Sequence, residues 1–131
     1  MDHLSTRLQD VKEAGVYLVT CELDEVRAAA KEAGLALFDV DLSNVHSKIE
    51  FMAAIAQAID APEWFGKNWD ALADALADLS WKKAPGYVLL LVHGTEHFNL
   101  LGNDHDVARD ILETTVQYWK SQDKPFWVFS C

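Results

Sequence analysis

Six consecutive apolar residues, Tyr87-Val88-Leu89-Leu90-Leu91-Val92, follow a Pro85-Gly86 turn signal. The run is far too short to cross a membrane and has the length of one strand. A strand with one wet face alternates apolar and polar side chains, so an unbroken run predicts a strand covered on both faces. Such a strand belongs inside a parallel sheet with helices packed above and below it.

The remaining segments supply those layers. After a polar, helical lead-in, Gly15 precedes Val16-Tyr17-Leu18-Val19, a short strand. Glu22 to Ala33 reads as a helix with Leu23, Val26 and Ala30 on one face, and Gly34 is placed to end it in a left-handed cap. Ala36 to Leu42 alternates at Phe38, Val40 and Leu42 as a second strand. Ser47 and Glu50 have capping-box spacing ahead of an apolar stripe of Phe51, Met52, Ile55, Ala56 and Ile59. Pro62 ends that helix or marks the turn beyond it, Trp64 to Lys67 forms a loop, and Asn68 caps a helix from Trp69 to about Leu79. Val107 to Gln122 is a further helix with Ala108, Ile111, Leu112, Thr115 and Trp119 on its buried side, and Phe126 to Ser130 is a last strand. Strands alternating with helices predict an α/β fold with a parallel sheet of three to four strands in one domain over residues 1–131.

Half of the residues are hydrophobic, including five Trp, six Phe and three Tyr, enough for a core without covalent staples. Cys21 and Cys131 lack the spacing of a disulfide framework or a zinc site, and are expected as free thiols in a reducing cytoplasm. Met1 to Lys12 is polar and mixed in charge, unlike a signal peptide. The net charge of −10 disfavours nucleic acid and anionic membranes as direct partners, and fits either a cationic partner or merely a soluble acidic cytosolic protein.

Within Asn68 to Ser80, Asp70, Asp74 and Asp78 recur every four residues and so form one acidic strip along the helix. Asp70 near the N-terminus is favoured by the macrodipole. Asp74 and Asp78 lie where that benefit fades and reverses, and each faces a like charge one turn earlier, so the strip reads equally as a binding face or as a merely solvated helix face. Trp64-Phe65-Gly66 places two aromatics on a turn just before this strip.

The run Pro62-Glu63-Trp64-Phe65-Gly66-Lys67-Asn68-Trp69-Asp70-Ala71-Leu72-Ala73-Asp74 resembles barstar, the intracellular inhibitor of the secreted ribonuclease barnase. The resemblance extends from about Phe38 to the C-terminus, and residues 1 to about 35 look like an added strand and helix. It implies a barstar-like layered fold and a cytoplasmic inhibitor that plugs the active site of a small basic ribonuclease, its helix carboxylates standing in for RNA phosphate. By the same resemblance, partner-binding roles carry onto Trp64, Asn68, Asp70 and Asp74, with Gly66 allowing close backbone approach. The sequence departs from that pattern in two places. Ala73 stands where barstar has a tryptophan, and Gln117 stands where it has an interface glutamate. An immunity-type module that binds another basic toxin on the same scaffold is the alternative.

Other chemistry is weakly represented. His93, Glu96, His97, Asp104, His105 and Asp106 contain metal-ligand types, but Gly94 after a strand points to a loop and HExxH is absent, so neither metal nor cofactor is expected. Asp70 and Asp74 could serve as an acid–base pair only if their pKa values were pushed apart, which an exposed acidic face does not favour. There is no Gly-rich phosphate loop, nucleophile elbow or Cys–His pairing, so a non-enzyme is expected.

Overall fold

A computed structural model describes residues 3–62, 68–93 and 104–131. It contains α1 (His3–Leu8), a 3-10 turn (Val11–Glu13), β1 (Val16–Leu18), α2 (Asp24–Glu32), β2 (Ala36–Asp41), α3 (Lys48–Ala58), α4 (Trp69–Asp78), β3 (Tyr87–Val92), α5 (Asp104–Ser121) and β4 (Phe126–Ser130). The four strands form one sheet in the order β1-β4-β3-β2, with every neighbouring pair parallel.

The sheet is covered on both faces, as the run at Tyr87 to Val92 requires. Tyr87, Leu89 and Leu91 join Phe38, Val40, Phe126 and Val128 beneath α3, α4 and α5. Val88 and Leu90 join Trp127 and Phe129 against Leu8, Leu23, Ala29 and Ala30 from α1, α2 and the residues beside them. Successive residues of a strand point to opposite faces, so β3 feeds two cores at once.

Chain handedness explains which helices lie where. From β2 to β3 to β4 the chain steps across the sheet in one direction, and its helices lie on one face. From β1 to β2 it steps the opposite way, across the whole sheet. A right-handed crossover then has to put α2 on the other face, where it is found. The N-terminal segment therefore both adds an edge strand and roofs the second core.

Local signals sit where the sequence puts them. The Ser47 hydroxyl accepts from Glu50 N at 3.1 Å, and the Glu50 carboxylate accepts in return from His46 N at 3.2 Å, one residue ahead of the usual reciprocal partner. Gly34 takes φ +76° after α2. Gly86 is fixed by crowding instead: a Cβ there would lie 2.7 Å from Pro125 Cγ and 2.8 Å from the Pro125 carbonyl oxygen. Three indoles are each satisfied by a backbone carbonyl, Trp81 at Ile59, Trp119 at Leu76 and Trp127 at Leu8.

The cysteine expectation is overturned. Cys21 and Cys131 are joined by a disulfide across a separation of 110 residues. Parallel pairing of β1 with β4 carries the bend after β1 to the end of β4. Sequence spacing cannot report a proximity created by pairing the first and last strands.

Candidate protein-binding surface

The acidic strip is built by α4. Asn68 adopts extended backbone geometry (φ −143°, ψ 168°), and its side-chain oxygen accepts from Ala71 N at 2.8 Å. One orphan donor of the first turn is thereby satisfied and the helix begins at Trp69. Leu72, Ala75, Leu76 and Leu79 are buried in the core. That fixes the rotation of the helix and leaves Asp70, Asp74 and Asp78 exposed on the outer side. Leu79 ends the helix in the left-handed region at φ 47°.

None of the ion pairs among the described residues includes these three carboxylates. Lys82, the nearest basic residue after the strip, pairs with Asp60 at 2.8 Å. Asp78 is the last helical residue, where the macrodipole opposes an anion by about 0.3–1 kcal/mol. The like-charged neighbours at spacing four cost a further ~0.2–0.5 kcal/mol per pair. Local stability therefore gives no account of Asp74 and Asp78.

The other proposed contacts are distributed unevenly. Trp64 and Gly66 lie outside the described residues. Gln117 is exposed on α5 and lines a recess with Gly15, Val16, Asp110 and Glu113. At the helical pitch it stands about 140° round from Leu112, near the centre of the buried stripe. Val116 and Lys120 lie on that same flank, and Lys120 Nζ donates to the Lys12 carbonyl oxygen at 3.3 Å. Gln117 thus belongs to the flank turned to β1, whereas α5 meets α4 through Trp119 and Leu76. A partner that touches both Asp74 and Gln117 has to reach across the back of α5.

Tyr118 was not among the residues the sequence suggested. It is 42% exposed, packs edge-on against Trp119 with ring centroids 5.2 Å apart, and lies about 120° from Leu112 on the opposite flank from Gln117. An aromatic one position outside a buried helical stripe was the available signal. Of the histidine and acidic cluster, Glu96 and His97 lie outside the described residues. Among the described residues no group of three or more His, Cys, Asp or Glu side chains is arranged to hold a metal ion. No helix among them is long and apolar enough to cross a membrane.

Comparison with protein-family models matches residues 35–131 to Barstar, described as barnase inhibitor. The match begins just before β2 and covers β2 to β4 with α3, α4 and α5. Segment 3–34, which supplies α1, β1 and α2, lies outside it. A search of curated proteins returns no match.

Proposed function

Because the chain belongs to the barstar family, we propose that it binds a small basic ribonuclease of the barnase type and blocks its active site. The observation that carries this reading is Asp74, an exposed mid-helix carboxylate with a like charge one turn away on either side and no ion pair among the described residues.

The chemistry is that of phosphate mimicry. A ribonuclease holds its substrate with converging Arg, Lys and His donors. The Asp74 carboxylate offers them an acceptor on a rigid helix, with charge-assisted hydrogen bonds in place of those to RNA. Asp70 supplies a second carboxylate one turn earlier, and Tyr118 an aromatic contact on the neighbouring helix. Asn68 keeps its amide NH2 to donate, since its oxygen is held by the helix cap. The resemblance assigns Trp64 and Gly66 to the same interface. The protein in this reading is a binding protein, not an enzyme, and does not bind RNA itself.

The departures at Ala73 and Gln117 favour a second reading, in which the same strip recognises a different basic toxin. Titrating the protein into an RNA-cleavage assay with a barnase-type ribonuclease separates the two. Stoichiometric loss of cleavage supports the first reading. Undiminished cleavage at a large molar excess rejects it, and binding to a non-nuclease basic toxin through Asp74 would then establish the second.

A further inference from the structure

The disulfide lies outside the α4 strip. It joins Cys131, directly after β4, to Cys21 in an exposed bend between β1 and α2. Cys131 lies within the family-matched region and Cys21 lies in the segment that precedes it. The bond therefore fastens the added segment to the family fold.

The two ends of the bond are held very differently. Cys131 is 6% exposed, and its backbone N–H donates to the Leu91 carbonyl oxygen at 3.2 Å, so the sheet fixes it with or without the bond. Cys21 lies beyond a strand of only three residues that ends in Leu18, which is 74% exposed. Val19 N donates to the Ser130 carbonyl oxygen just before the bend, and buried Leu23 anchors the chain just after it. Cys21 also borders an open recess with Thr20, Glu22, Asp24 and Glu25, through which a small thiol can approach.

We propose that Cys21 and Cys131 form a reversible thiol–disulfide latch that fastens the N-terminal segment to the end of β4 and is opened by dithiol reductants. Closing needs a small disulfide as oxidant. The Cys21 thiolate attacks one of its sulfurs and releases one thiol. The Cys131 thiolate then attacks Cys21 Sγ in the mixed disulfide and releases the second. Two protein thiols and one small disulfide become one protein disulfide and two small thiols. Opening by a dithiol runs the same exchange in reverse, entering at Cys21, the exposed residue of the pair, with Cys131 as the leaving thiolate. The free energy of closing acts on the bend and β1, because the other end is already held by the sheet.

The test is hydrogen exchange on the full chain, oxidised with glutathione disulfide or reduced with dithiothreitol, the thiol state being read by alkylation and mass. Reduction is expected to speed exchange of amides 17–23 at least tenfold and to leave amides 72–76 of α4 and 88–91 of β3 within twofold. Cys21→Ser in oxidising buffer should show the reduced pattern. Unchanged exchange at 17–23 after reduction overturns the latch. So does equal acceleration at every site, which would make the bond a global staple, and so does a pair that stays reduced in excess glutathione disulfide.

Discussion

Asp70, Asp74 and Asp78 share one helix face, yet their physical situations differ. Asp70 lies in the first turn of α4, where the macrodipole rewards a carboxylate, whereas Asp74 gains nothing from its helix. Asp74→Ala is therefore expected to leave thermal stability unchanged or raised by a few tenths of a kcal/mol, since it removes two like-charge neighbours. Inhibition should weaken by about 3–5 kcal/mol, at least ~100-fold, because buried cations of the partner lose their counter-charge. Melting curves and inhibition titrations on the same variant check both halves. Full inhibition by this variant would remove Asp74 from the interface. Asn68 has two roles carried by different atoms, the cap by its oxygen and any donation by its NH2. Asn68→Ala should cost about 0.5–2 kcal/mol of stability through the lost cap. Asn68→Asp keeps the cap and loses the donor, so it should stay as stable as the parent and inhibit less well. If Asn68→Asp inhibits as well as the parent and Asn68→Ala loses only what its stability loss accounts for, Asn68 is a helix cap and nothing more.

At the scale of elements, helix ends and periodicities were legible in the sequence because their causes are local. Ser47, Asn68 and Gly34 act within a few residues of themselves, and each stands where its chemistry requires. The left-handed positions occupied by side chains were not legible. Leu79 at φ 47° is held there by its burial in the core, and Asp123 at φ 59° closes the turn after α5 with its N–H bonded to the Lys120 carbonyl oxygen. Asp123 is exposed, so no packing offsets its conformational cost. Asp123→Gly is expected to stabilise the protein by up to about 1 kcal/mol, measured as a raised urea midpoint with an unchanged slope. A lowered midpoint would show that the Asp123 side chain stabilises the turn by more than the backbone strain. The sheet edges also differ in kind. Beside β2, the Arg27 guanidinium reaches Asp39 at 2.6 Å and Asp24 at 3.1 Å. The hydrogen bond to Asp39 is the main cause that raises its already high pKa. These groups are well exposed, and their pairing contributes less to stability than to marking the edge with charge. The β1 edge carries Leu18 instead, and it is this weaker edge that the disulfide reinforces.

At the scale of the whole molecule, Tyr87 to Val92 alone implied a two-faced parallel sheet, and the alternation of elements implied its class. The position of β1 beside β4 was hidden, because pairing across more than 100 residues leaves no trace in local spacing. The same blindness concealed the disulfide and the flank on which Gln117 lies. Net charge is the other whole-molecule property. With 21 acidic and 11 basic residues, the chain presents a negative field around the α4 strip. That field should accelerate encounter with a basic partner, an effect for which the barnase–barstar pair is itself the reference case. Raising ionic strength from 0.15 M to 1 M shortens the screening length from about 8 Å to about 3 Å. Association should therefore slow steeply with salt while dissociation changes little, because contacts closed within the interface are screened far less. Stopped-flow association at several salt concentrations reads the first rate and competitor chase reads the second. Asp78→Asn, at the exposed end of the strip, should flatten the salt dependence of association with little effect on dissociation. An association rate indifferent to salt would mean that the acidic strip acts only after contact, with the rest of the charge serving solubility.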